Sequence, residues 1–421
     1  MRADPEAIER FGTRAALIAA LSLPVLVILS RSAAEAVFAA LAIGFLLRLW
    51  RRRESAALRA PWFLAACAYW AWLVLATLAA SADVERVLVA LAWGRFPLVM
   101  LALSSWLLVS EEARRWALRI SGTAALAVAV ETWAQFLFGR GLTGTGRAVP
   151  GYLSGPFRRP RVGGFLLLVM WPALFAAVAR LRRAGAGGVV AAALLIAVAL
   201  GAVLLGGQRV PAAGALVVLL LGAWLLPALR LPVAVGLVPV LAMAAAAPVL
   251  APEAFARYAQ EFPRLLLGFA ESHYGLILAR ALAIFAASPW VGHGAEAFRH
   301  LCRDPAFFRG WGGAGEGGGA AICVTHPHNH YLEALTDGGV IGLLLFAFFQ
   351  GLFALAILRG ALAAPRDAVR IGLVLPLLLG LWPLQTASAF AGIESAAPRC
   401  LLAGWALAAA AAARPPATSS A

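Results

Sequence analysis

The sequence predicts an all-α polytopic membrane protein of about twelve transmembrane helices, and three observations carry that prediction. Of 421 residues, 62% are hydrophobic and 13% charged, with a mean hydropathy of +0.86; soluble domains carry roughly 25% charged residues. The apolar residues gather in many runs of about 18–25, each long enough to cross a hydrocarbon core of about 30 Å as a helix. Leu, Ala and Val fill those runs without the alternation of a barrel strand, so each span must satisfy its backbone within a helix.

The spans fall near residues 14–30, 34–50, 60–81, 87–109, 117–138, 163–179, 187–205, 212–229, 231–250, 331–358, 371–388 and 395–413. The first apolar run, Ala15–Leu29, is followed at once by a second, and reads as a retained helix rather than a cleaved leader. Apart from a short RPPATSS tail there is no long linker or low-complexity tract, which makes 1–421 a single integral membrane domain. The net charge is +15. Its arginines punctuate apolar runs and form no patch interleaved with aromatics, so they read as juxtamembrane anchors and nucleic acid is excluded as a partner.

Alternate connections differ in charge. One set comprises the N-terminus with Arg2, Arg10 and Arg14, then RLWRRRESAALR, EEARR, RLRRAG, Arg230, LRGALAAPRDAVR and the tail at Arg414. These are short and uniformly basic, the signature of the cytoplasmic side, and an even number of spans then places both termini there. The opposite set is not free of arginine. Arg140, Arg147, Arg158, Arg159 and Arg161 lie in Gly139–Arg161, Arg209 lies in GGQRVPA, and Arg257, Arg264, Arg280, Arg299, Arg303 and Arg309 lie in the long segment 251–330. Arginine there opposes the positive-inside bias, which points to a need for positive charge on that face; ion pairs with Glu253, Glu261 and Glu271 are the alternative, a weaker one for the isolated Arg209.

All six histidines and two of the four cysteines fall in 251–330, so titratable chemistry is concentrated in one loop between spans nine and ten. That loop is too long to be a bare connection. EAFARYAQEFPRLLLGF gathers Phe255, Tyr258, Phe262, Leu265 and Leu266 on one side, as an interfacial helix would. A second helix, Tyr274 to Trp290, carries Arg280 in apolar surroundings, where a guanidinium must be paired or line a polar cavity. WGGAGEGGG lacks the Lys-Ser/Thr ending of a phosphate loop and reads as a mobile lid. Cys302 and Cys323 flank it; a disulfide there would close a loop of about 22 residues and contribute about 3 kcal/mol, two free thiols being the alternative. Cys67 and Cys400 lie within spans and read as packing residues.

His326, His328 and His330 admit three readings. As an extended strand they offer three imidazoles to a metal, but Pro327 and a helix beginning near Tyr331 oppose that. As a polar collar they merely end a helix. As a capped helix start, with Asn329 the N-cap, they place His328 at the helix mouth, where a group titrating near neutrality suits base chemistry on a hydroxyl.

The stretch HNHYLEALTDGGVIG, His328 to Gly342, resembles the signature of the bacterial O-antigen ligase and polysaccharide polymerase family: His-Asn, nine residues, then Gly-x-x-Gly, here Gly339 and Gly342. ARALAIFAASPWVGHGAEAF is similar to the helix and P-x-x-G-x-G turn preceding that motif, giving Arg280; GGQRVPAAGAL is similar to the family's short external turn, giving Arg209; and GPFRRPRVGGFLLLVMWPALF is similar to the segment leading into its middle span. The resemblance covers roughly residues 150–345. It implies a metal-independent, cofactor-free glycosyltransferase of the bacterial inner membrane. Such an enzyme moves a glycan from undecaprenyl diphosphate, on the periplasmic face, to an acceptor hydroxyl. A ligase uses the lipid A-core sugar, and a polymerase, the alternative, another lipid-linked repeat. By this resemblance His328 activates the acceptor and Arg209 and Arg280 meet the diphosphate, while Arg158, Arg159, Arg161, Asn329, His326 and His330 line the substrate cavity. Loop 251–330 is then periplasmic. A transporter would need charges spread through its spans or an internal repeat; the span interiors are nearly charge-free apart from Arg95, Arg119, Glu131 and Arg399, and no repeat is visible. Arg95 extends the phosphate site or pairs within the bundle. A metal-dependent hydrolase would lose activity to a chelator.

Overall fold

The computed structural model describes residues 5–81, 83–147, 151–313, 315–383 and 392–412, and these are helical almost throughout. Helices α1 (Pro5–Leu29), α2 (Arg31–Arg52) and α3 (Pro61–Ala80) are followed by α4 (Val84–Trp93) and α5 (Arg95–Ala102), which a π-helical turn, Leu103–Leu107, extends. Then come α6 (Glu111–Phe138), α7 (Val162–Val169), α8 (Trp171–Leu181), α9 (Gly185–Leu205), α10 (Arg209–Leu225) and α11 (Pro227–Leu250). Short pieces follow: α12 (Pro252–Phe255), a π-helical stretch Ala256–Glu261, α13 (Phe262–Leu267), α14 (His273–Ala287) and α15 (Ala297–Leu301). The chain ends with α16 (His330–Leu362), α17 (Ala368–Leu379) and α18 (Ile393–Ala412).

Each of the twelve expected span positions holds a helix. Among the described residues nine stretches are long and apolar enough to cross a membrane; one of them, Trp171–Leu205, contains both α8 and α9, and α10 and α17 are shorter. Arg2, the far end of the eleventh expected span and the Arg414 tail lie outside the described residues. Local chemistry sets the helix ends. Ser30, Asp83, Ser110, Ser272, Asn329 and Asp367 each accept a hydrogen bond from a first-turn amide, and Pro61 and Pro227 start helices where the missing N–H costs nothing.

The centre of the bundle is α18. It packs on α1, α2, α5, α7, α16 and α17, and its run from Cys400 to Ala410 is buried on every side. Small residues permit this: a Cβ on Gly404 would stand 2.4 Å from the Leu103 Cβ, and one on Gly360 would stand 2.3 Å from the Ala410 Cβ. Lipid offers no hydrophobic drive between helices, so close backbone approach supplies the cohesion. Against α3, α16 lays Phe346 at 5.1 Å from Tyr69 and Phe353 at 6.5 Å from Trp62. Arg95 is ion-paired with Glu35 at 3.4 Å and lies over the Phe96 ring, so it serves the bundle.

Near its start α16 breaks. Gly339 has φ 64° and ψ −163°, a region that only glycine occupies readily. Into the break docks the turn 289–294: the Val340 amide donates to the Pro289 carbonyl at 2.8 Å, the His293 amide to Thr336 at 3.0 Å and the Gly294 amide to Asp337 at 2.9 Å. A Cβ on Gly339 would lie 2.3 Å from the Trp290 carbonyl carbon. Gly339→Ala is therefore expected to destabilise by about 2–4 kcal/mol, the sum of backbone strain and overpacking. Thermal unfolding in detergent should show a lowered apparent Tm. Gly351→Ala, where a Cβ meets nothing within 4 Å, should leave it unchanged.

Candidate active site

Four connections are tied together at one end of the bundle. The loop after α6 joins the segment after α11, because the Gly151 amide donates to Glu253 at 2.8 Å and Arg257 donates to the Tyr152 hydroxyl while lying 3.8 Å over its ring. The turn between α9 and α10 joins both. Arg209 donates through Nε to the Arg257 carbonyl at 3.1 Å and through Nη2 to Glu261, and Gln208 accepts from the Gly164 amide. Arg161 pairs with Glu394 of α18 at 2.6 Å. The segment before α16 meets the end of α17, where Asn329 donates to the Pro383 carbonyl and Tyr331 to Leu381 at 2.8 Å. All the residues expected at the site lie on this face.

Within it the arginines differ. Arg158 and Arg159 are exposed and have no protein partner among the described residues. Arg161 and Arg209 are ion-paired, and for Arg209 this departs from the expectation of an isolated cation: Glu261, remote in sequence, comes to it. Its Nη1 has no hydrogen bond among the described residues. Arg280 is fully buried. Its Nη1 donates to the Cys302 carbonyl and its Nη2 to Gly319 at 3.0 Å and to Glu316 and Gly317 at 3.4 Å, with Phe308 4.5 Å beneath. Cys302 and Cys323 are bonded, with Cα atoms 5.6 Å apart. Disulfide and guanidinium thus clamp the two ends of the glycine run to α14.

The three histidines part company. His330, in the first turn of α16, is buried against Tyr331 at 4.5 Å and Phe346 at 5.7 Å. It points into the bundle. His328 precedes the N-cap in a left-handed conformation, φ 52°, which costs a non-glycine residue about 1–2 kcal/mol. His326 stabilises that turn, its Nδ1 accepting the His328 amide at 3.1 Å. Because an amide only donates, His326 must carry its proton on Nε2 and be neutral. Burial, and then the neighbouring His328, push its pKa down to about 4. The His328 ring stands edge-on to His326 at 4.7 Å and to Tyr274 at 5.7 Å. The three imidazoles do not converge on one point.

Beneath them lies a knot that the sequence reading did not find. Asp337 accepts from the amides of Ala297 at 3.0 Å and Glu296 at 3.2 Å, so it caps α15. Arg86 of α4 donates to the carbonyls of Ala295, at 3.1 Å, and His293, and Thr77 of α3 accepts the Ala295 amide at 2.9 Å. Glu131 is similar: it accepts from the amides of Leu142 at 2.7 Å and Thr143 at 3.0 Å and holds the loop after α6.

Residues 192–347 match the family model described as O-antigen ligase. The chain carries an O-antigen ligase-like domain. Arg209, Arg280, His328 and both motif glycines lie inside the matched region, whereas Arg158, Arg159 and Arg161 lie outside it. Over that region the chain is similar to membrane glycosyltransferases of the O-antigen ligase and polymerase kind. No curated protein matches the chain.

This candidate site carries a pH signature. An unfolded histidine titrates near 6.5 and His326 in the fold near 4, so the unfolded chain takes up the proton first as pH falls. The stability this ring contributes is complete above about pH 6.5 and is lost toward pH 4. His326→Asn retains an acceptor for the amide two residues on and does not titrate. Melting curves between pH 7 and 4 should fall less steeply for this variant than for wild type.

Proposed function

We propose that this chain transfers a glycan from undecaprenyl diphosphate to the hydroxyl of an acceptor sugar, acting as an O-antigen ligase on lipid A-core at the periplasmic face of the inner membrane. The observation that carries the reading is His328. It is held in a strained turn at the mouth of α16, within the matched region, on the face where the arginine-bearing loops are tied together.

In the proposed step a ring nitrogen of His328 takes the acceptor hydroxyl proton as that oxygen bonds to the anomeric carbon. The bond from the anomeric carbon to the diphosphate oxygen breaks, and undecaprenyl diphosphate leaves with the electron pair. Developing negative charge on the leaving group calls for guanidinium donors. Arg209 has Nη1 to offer, and the exposed Arg158 and Arg159 can receive the donor. Arg280 reaches a phosphate only by giving up the glycine-run carbonyls; as placed, it positions the loop beside the site. Asn329 and His326 hold His328 from either side. No step calls for a metal or cofactor.

Transfer from a purified lipid-linked donor tests this reading. His328→Ala is expected to lower kcat by about 10²–10⁴-fold, and Arg209→Ala to weaken both donor use and turnover, with activity surviving EDTA. Near-full activity of His328→Ala would reject the mechanism. Product on rough lipopolysaccharide marks a ligase, whereas a lengthened lipid-linked chain marks a polymerase.

The membrane orientation rests on the short arginine-rich connections, and a labelling scan tests it. Single cysteines at the exposed Arg140 and Arg158, in a background lacking Cys67 and Cys400, should react with an impermeant maleimide from the periplasm. Protection there, with labelling from the cytoplasm, would invert the topology.

A further inference from the structure

The wall of rings around His328 is larger than the histidine motif. Helix α14 starts at His273, with Ser272 as its cap. Its inward stripe, Ile277, Ala281 and Ile284, is buried on a small core with Phe298 and Cys302, against which Leu332 of α16 packs. Tyr274 continues that stripe by one turn, past the point where the core ends. It is only partly buried. Its ring lies 5.7 Å from His328 at 64° and 6.2 Å from His273 at 74°, and its hydroxyl has no hydrogen-bond partner among the described residues. A ring placed beside His328 at the mouth of α16, with a hydroxyl that no described protein group takes up, is an amphipathic surface open to a ligand. The helix holding it is fixed from below, because Arg280, on the same helix, bonds the Cys302 and Gly319 carbonyls.

We propose that Tyr274, its ring 5.7 Å from that of His328, forms the wall of an acceptor-sugar subsite, taking the apolar C–H face of a terminal hexopyranose whose hydroxyl is presented to His328. This rests on the glycosyltransferase reading and adds to it the group that orients the acceptor. The chemistry is complementary. One face of a pyranose is lined with C–H bonds, an aromatic face carries the negative lobe of its quadrupole, and a rim hydroxyl can exchange hydrogen bonds with the sugar's own. The sugar can come from lipid A-core or from a second lipid-linked repeat; the wall recognises what they share.

Transfer kinetics with acceptor and donor varied separately test the proposal, one arm using rough lipopolysaccharide and the other undecaprenyl-diphosphate-linked repeat as acceptor. In whichever arm wild type is active, Tyr274→Ala should raise the acceptor KM about five- to ten-fold with the donor KM unchanged. Tyr274→Trp, which keeps a face, should stay within about two-fold of wild type. An unchanged acceptor KM in Tyr274→Ala, or an equal rise in donor KM, overturns the wall. Tyr274→Leu fills the volume without a π face and guards against a folding defect. Binding of rough lipopolysaccharide and of the lipid-linked repeat to nanodisc-held His328→Ala, with and without Tyr274→Leu, reads the subsite without turnover. Weaker binding in the double variant supports the wall, and equal binding rejects it. If wild type transfers nothing in either arm, the glycosyltransferase reading fails by itself, and the binding comparison still decides the subsite.

Discussion

The site depends on the seating of the turn 289–294 in the break of α16. A continuous helix would spend the amides and carbonyls around Gly339 on itself. Because Gly339 takes a conformation that only glycine adopts readily, Thr336, Asp337 and Val340 instead bond His293, Gly294 and Pro289. Gly292 completes the fit from the other side: its φ is 76°, and a Cβ there would lie 2.5 Å from the Asp337 carbonyl. Asp337 then reaches past the turn to cap α15, while Arg86 and Thr77 fasten the same backbone to α4 and α3. Four remote segments meet there, and every loop atom near His328 is placed relative to them. Gly339 lies within a stretch apolar and long enough to cross a membrane, where non-helical backbone is tolerated only if protein satisfies it, which this knot does.

The spans and the one-sided crowding of chemistry were legible in the sequence, because hydropathy and helix caps are local. Asn329 as N-cap could be read from its residue type and position alone. What escaped was pairing across distance. Arg209 looked solitary between two spans, but its carboxylate partner arrives from a different loop. In the string Asp337 carries no motif of its own, and nothing there says that it turns toward amides some forty positions earlier. His330 escaped for another reason. Alternate spacing in a strand would put it with His326 and His328, whereas here His328 reverses the chain before the helix begins, so His330 faces the Phe346 ring. Arg86 and Thr77 carry no motif at all; their roles exist only after α3 and α4 have packed.

Charge on the site face divides into two kinds of work. Arg147, Arg161, Arg257 and Arg280 are spent on protein carbonyls, carboxylates or rings, holding loops that have no regular secondary structure to hold them. Arg280 is the extreme case. A buried guanidinium without a carboxylate is costly unless its donors are met, and here carbonyls from both ends of the disulfide-closed segment meet Nη1 and Nη2, while Nε has no hydrogen bond among the described residues. The glycines between Trp311 and Gly319 adopt left-handed conformations that bring those carbonyls round to one cation. Arg158 and Arg159 form the other kind, exposed and unpaired among the described residues, and any anion approaching this face meets them before it meets the buried set.

The spacing of the His-Asn and Gly-x-x-Gly motif follows from the same geometry. Asn329 caps a half-helix of nine residues, about 13 Å long at ~1.5 Å per residue, and Gly339 ends it. The cap fixes where the half-helix starts, because its side chain takes the amides of Tyr331 and Leu332 and its Nδ2 bonds the Pro383 carbonyl. The break fixes where it stops, because only there can the turn 289–294 seat. One residue more or fewer between them would rotate the turn holding His328 by about 100° around the helix axis relative to the knot, away from Tyr274. The interval is therefore the length of a rigid arm, anchored at the knot and carrying His328 at its other end, where Asn329 and Tyr331 tie it to the end of α17.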